Sequence, residues 1–128
     1  MKPKDKGTRF ETQVTRWLVD HGHRAVRRVL HGSADEGDVG AVINGRPVTI
    51  EAKDRKRIEL LKWFEEAERE AAVGGGIPML VLHRPGMGTR RFGGNLAVVT
   101  LDGLEDLIGT DGKEGHGVGA VGDSRGAR

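Results

Sequence analysis

The sequence predicts one α/β domain, a mixed sheet with helices packed against its faces, in the order α-β-β-β-α-β-β. Three observations carry this prediction. Apolar residues recur at helical spacing near the start, an Asn-Gly pair separates two strand-like runs, and a second helical stretch leads through three glycines into a continuous apolar run. A length of 128 residues suits one domain, and an apolar content of 36% supplies a modest core.

Thr8-Arg9-Phe10-Glu11 has the form of a capping box, and Phe10, Val14, Trp17 and Leu18 follow as one apolar stripe. A first helix is therefore expected over residues 8–21, stopped by Gly22. Residues 24–30 read as a short basic strand, and residues 31–37 as a polar, flexible connection. Asn44-Gly45 joins strands 38–43 and 47–53, because both turn residues tolerate positive φ. Alternation then puts Val48, Ile50 and Ala52 on one face, and Thr49, Glu51 and Lys53 on the other.

A second helix is expected over residues 58–73, with Leu60, Leu61, Phe64, Ala67 and Ala71 inward and the pairs Lys62/Glu66 and Glu65/Arg69 outward. Trp17 and Trp63 read as core or interface aromatics. Residues 77–83 and 95–101 read as buried strands joined by a loop rich in Gly and Arg, where Arg90 and Arg91 suit phosphate contact. Residues 103–108 read as a short last helix that ends the domain. Residues 109–128, with seven glycines, read as a disordered tail.

Composition excludes several classes of function. With no cysteine, there is no disulfide, thiolate metal site or cysteine nucleophile. No apolar run approaches the length of a membrane span, and the opening residues lack the apolar stretch of a secretion signal, so a cytoplasmic protein is expected. Gly112-Lys113 lacks the upstream glycine of a phosphate-binding loop, so no nucleotide cofactor is expected. Net charge is only +2, but it is segregated. Basic residues gather at Lys2/Lys4/Lys6/Arg9, at Arg24/Arg27/Arg28, at Lys53/Arg55/Lys56/Arg57 and at Arg84/Arg90/Arg91, while acids gather at residues 35–38 and 65–70. A polyanion-binding surface beside an acidic pocket would have this pattern.

The chemistry concentrates on Asp38 in one arm of the hairpin and Glu51-Ala52-Lys53 in the other. Glu51 and Lys53 leave the same face, and Asp38 can lie beside them across the ladder. Converging carboxylates repel unless a cation joins them. Hard oxygen ligands suit Mg²⁺, with Mn²⁺ as a substitute and the Ala52 carbonyl as a further ligand. An ammonium beside that ion can orient water or stabilise charge growing on phosphorus. The simplest alternative is a surface ion pair between Glu51 and Lys53, while Asp35 and Glu36 read as plain turn chemistry rather than as metal ligands.

These residues resemble the PD-(D/E)XK nuclease superfamily, and within it the archaeal-type and phage Holliday junction resolvases. The resemblance runs from about Lys6 to Leu101. It includes Lys6-Gly7 opening a helix with Glu11, the basic Arg27-Arg28 strand, the His31-Gly32-Ser33 loop, and Arg55-Lys56-Arg57 after the motif lysine. Two departures stand out: Asp38 follows Gly37 where relatives carry Pro, and Glu65 and Glu66 stand where many carry Gln.

The resemblance implies a restriction-endonuclease-like fold and a Mg²⁺-dependent endonuclease acting on four-way DNA junctions, with a 3′-oxygen leaving. It implies catalytic residues Asp38, Glu51, Lys53 and Glu11, and metal ligands Asp38, Glu51, Ala52 and Glu11. DNA contacts would come from Lys4, Lys6, Arg9, Arg27, Arg28, Ser33, Arg55, Lys56 and Arg57. A homodimer is expected, since two equivalent strands must be cut, with Leu61 or Phe64 at the interface. The alternatives are another nuclease of the superfamily, a junction-binding protein without catalysis, or an interaction domain with no nucleic-acid role.

Overall fold

The computed structural model describes residues 3–28 and 38–109, with side chains from Lys6 onward. Helix α1 (Pro3–Asp20) is followed by strands β1 (Arg24–Arg27), β2 (Val39–Ile43) and β3 (Arg46–Lys53), then helix α2 (Leu60–Gly74) and strand β4 (Ile77–Leu82). A 3₁₀ segment (Thr89–Gly94), strand β5 (Leu96–Val98) and helix α3 (Leu101–Ile108) complete the order. The five strands form one sheet in sequence order, antiparallel except where β4 runs parallel to β3. A parallel neighbour requires a crossover, and α2 supplies it.

The mixed sheet with flanking helices agrees with the expected restriction-endonuclease-like α/β fold. The hairpin turns at Asn44 (φ 53°) and Gly45 (φ 76°), both left-handed, and pairs Ile43 with Arg46 and Val39 with Ile50. Alternation sorts the two faces as expected. Phe10, Val14 and Leu18 of α1 pack on Val39, Ala41, Val48, Ile50, Ala52, Ile77 and Met79. Trp63 packs on Leu80 and Leu82, giving a second, smaller cluster beneath α2.

Several local expectations are corrected. α1 starts at Pro3, so Thr8 is an interior residue whose carbonyl accepts from the Thr12 hydroxyl at 3.0 Å, and no capping box forms there. Proline is preset for a first helical turn, which favours the earlier start. Leu60 and Leu61 are 41% and 77% exposed, and Trp63 takes the inward place, with Ala67, Glu70 and Ala71. Lys62 pairs with Glu59 at 3.5 Å rather than with Glu66, because Glu66 turns toward the sheet. The loop between β4 and β5 contains the 3₁₀ segment, and β5 is shorter than expected. Ser33, Asp35, Glu36 and residues 110–128 lie outside the described residues.

One polar contact ties the faces together. Thr49 is fully buried; its hydroxyl donates to the Gly75 carbonyl at 2.7 Å and accepts from Arg28 Nη1 at 3.2 Å. The Arg28 guanidinium lies where a side chain on residue 40 would stand, so a Cβ there would have to displace it. Gly76 has φ +84°, and an added Cβ would collide with the Pro47 carbonyl. Gly76→Ala is therefore expected to destabilise the fold by roughly 1–3 kcal/mol. Urea unfolding would show this as a lower midpoint at unchanged slope, and an unchanged midpoint would contradict it.

Candidate active site

The site forms where β3 ends. Pairing of Val39 with Ile50 sets Asp38 opposite Glu51. Asp38 is held from three sides: its N–H donates to Ile50 O at 3.0 Å, its carbonyl accepts from Arg28 N–H at 2.8 Å, and its Oδ2 accepts from Ala52 N–H at 2.9 Å. α1 brings up Glu11, next to the core anchor Phe10, and Arg27 Nε lies 3.4 Å from Glu11 Oε1. All four residues expected to carry catalysis thus meet at one end of the sheet.

Electrostatics mark the place. Burial, reinforced by the Glu51 charge, pushes the Asp38 carboxyl up to about 8. Burial also raises Glu11, against the Arg27 charge and a hydrogen bond shared with Asp38 that favours its ionised form. Glu51 is 6% exposed, and its Oε1 is buried with no hydrogen-bond partner. Such burial excludes the exposed surface ion pair considered from sequence.

Lys53 lies in a three-sided cradle. Its Nζ is 3.2 Å from Glu51 Oε2, 3.0 Å from Glu66 Oε1, and 5.6 Å from the centroid of the Trp63 ring. Burial opposes the ammonium, but Glu66 and Glu51 outweigh it and hold the pKa above the usual lysine value. Lys53 is a cation with a fixed position.

Sequence reasoning missed the share contributed by α2. Carboxylate oxygens of Glu51, Glu66 and Glu70 lie within 4.8 Å of one another, an arrangement that could hold a cation. Glu66 therefore faces the site and not, as its pairing with Lys62 would require, the solvent. A signal was present: Glu70 is an acid one turn beyond Glu66, within the stripe Trp63, Ala67, Ala71 that a helix buries.

The expected DNA contacts divide into groups. Arg55, Lys56 and Arg57 are exposed on the loop after β3, beside the site, and Arg9 is exposed on α1. Lys6 reaches Asp54 at 3.7 Å. Arg27 is half-exposed and engaged with Glu11, whereas Arg28 is turned inward onto Thr49. The Lys4 side chain and Ser33 lie outside the described residues.

A model of the archaeal Holliday junction resolvase (Hjc) family matches residues 2–73, a span that contains every candidate catalytic and metal-binding position named above. No curated protein matches the chain. Among solved structures, the chain is similar to Hjc of Archaeoglobus fulgidus, described as a Holliday junction resolvase from an archaeal hyperthermophile. Identity is 28% and the TM-score 0.49, over 63% of this chain and 66% of that one, just under two thirds of its length. With more than half of its residues matched by the family model, the chain belongs to the archaeal Holliday junction resolvase (Hjc) family.

Proposed function

We propose that the chain is a divalent-metal-dependent endonuclease that resolves four-way DNA junctions by hydrolysing phosphodiesters. The observation that carries this reading is the convergence of Glu11, Asp38 and Glu51 beside a fixed Lys53 ammonium, in a member of the Hjc family.

The donor set fits a hard cation. Asp38 and Glu51 press two carboxyl groups together, burial and the Glu51 charge disfavour ionised Asp38, and Glu51 Oε1 lacks a donor. Asp38, Glu51, the Ala52 carbonyl and Glu11 would hold Mg²⁺, or Mn²⁺ in its place. Once bound, such an ion neutralises the carboxylates and acidifies water. Lys53, anchored by Glu66, orients the attacking water and meets the negative charge that grows on the phosphoryl oxygens. Attack on phosphorus breaks the bond to the 3′-oxygen, which leaves with a proton. Arg9 and Arg55–Arg57 would grip neighbouring phosphates, so affinity should fall steeply with salt.

One site per chain and two strands to cut imply a two-fold dimer. The exposed Ile58, Leu60 and Leu61 at the start of α2 support an interface there. Sedimentation at working concentration is expected to report a dimer, and a monomer would count against that part of the reading. A cytoplasmic setting follows from a DNA substrate. Among the described residues no helix is long and apolar enough to cross a membrane.

The deciding experiment compares cleavage of a four-way junction with cleavage of linear duplex, flap and single strand, with and without Mg²⁺. Wild type is expected to cut the junction in Mg²⁺ only. Lys53→Ala should slow the step by about 10²–10³-fold, and Asp38→Asn should abolish metal-dependent cleavage. Junction binding with no cleavage that Lys53→Ala alters would favour a binding protein. Glu66→Ala should slow cleavage roughly 10–100-fold, and should add nothing in a Lys53→Ala background.

Metal-free stability should also change with pH. Folded Asp38 keeps its proton to about pH 8, against an ordinary value of 3.8. Between these values the folded state binds more protons than the unfolded one, so stability is lost as pH rises. In EDTA, the melting temperature is expected to fall across this interval, and Asp38→Asn should flatten the fall. Parallel profiles for the two proteins would contradict the assignment.

A further inference from the structure

We propose that the groove between α1 and the Thr89–Gly94 segment binds an unpaired stretch of DNA strand. The proposal extends the nuclease reading above, because that reading supplies the strand entering the site. Two adjoining cavities of about 520 and 550 Å³ share Arg9, Gln13, Thr89 and Phe92 as walls, so they form one trough along α1. One end lies against the backbone where β3 ends, next to the candidate active site but with none of its four catalytic side chains in the wall. Asp54 and His83 line it there; Asp54 follows Lys53, and the His83 N–H donates to the Lys53 carbonyl at 3.0 Å. The other end lies at Trp17 and Arg16.

The lining suits alternating phosphate and base. Lys6, Arg9, Gln13 and Arg16 recur on one face of α1, a stretch of ~15 Å at the rise of a helix, enough for a few nucleotides. Across the trough stands Thr89, with Arg90 and Arg91 exposed on the same segment. Of the two acids lining the trough, Asp54 is paired with Lys6, and Asp20 lies at the far end. The floor is apolar: Phe92 packs on Phe10, ring centroids 5.7 Å apart, and Trp17 stacks on His21 at 3.9 Å. Cationic walls around an aromatic floor are how proteins hold single strands, with phosphates on the charges and base faces on the rings. A duplex keeps its base faces stacked inside, so only an unpaired strand can use such a floor. Opening of the base pairs at a branch point would supply one.

The test needs no cleavage and is run in EDTA. Fluorescence anisotropy compares a short oligothymidylate with a blunt duplex of equal length, for wild type and Arg16→Glu. Arg16→Glu should weaken oligothymidylate binding about tenfold and duplex binding much less. Amide NMR shifts of wild type on adding oligothymidylate should centre on Arg16, Trp17, Thr89 and Phe92. Absence of oligothymidylate binding, shifts centred elsewhere, or equal weakening of both ligands would overturn the proposal. Junction cleavage without oligothymidylate binding sinks the groove and spares the nuclease. Oligothymidylate held in the groove by a chain that cleaves nothing in Mg²⁺ does the reverse.

Discussion

Like charges held together at low solvation are the constraint on which the rest of this structure depends. Glu11, Asp38 and Glu51 meet at the end of β3 with Glu66 and Glu70 close behind, far more negative charge than a half-dry site tolerates unaided. Protonation of Asp38, the Arg27 guanidinium on Glu11, and the Lys53 ammonium between Glu51 and Glu66 each relieve part of it. The backbone prevents the carboxylates from simply swinging apart. Three main-chain contacts pin Asp38, and Glu51 belongs to a strand paired on both sides. A site kept under such electrostatic load favours a multivalent cation.

Helix α2 is part of this arrangement as well as a crossover. Trp63 fills the small core beneath it and lends a ring face to Lys53, while Glu66 contributes the second carboxylate. One helix therefore links packing to the position of a cation, so disturbing α2 would disturb the lysine as well. Acidic centre and basic surroundings remain separate: Arg55–Arg57 and Arg9 are exposed around the site, and the Arg28 guanidinium packs against Gly40 and Thr49.

Much of the fold was legible because its signals are local. The Asn-Gly turn, the alternation through Val48–Lys53 and the glycines after α2 each act within a few residues, and the hairpin register follows from them. Errors arose where a non-local neighbour decides. Leu60 and Leu61 match a helical apolar stripe, yet only the sheet below determines that Trp63 points inward. The Thr8 capping box is a sound local pattern that an earlier start at Pro3 overrides.

The site divides in the same way. Sequence alone determined that Asp38, Glu51 and Lys53 share one end of a hairpin, because a two-residue turn fixes the register and side chains alternate along a strand. Only the tertiary structure brought Glu11, expected from the family resemblance, up to Asp38, and only it decided that Arg28 turns onto Thr49 and that Glu66 faces Lys53. Those meetings depend on how helices cross the sheet, and no local pattern of residues encodes that angle.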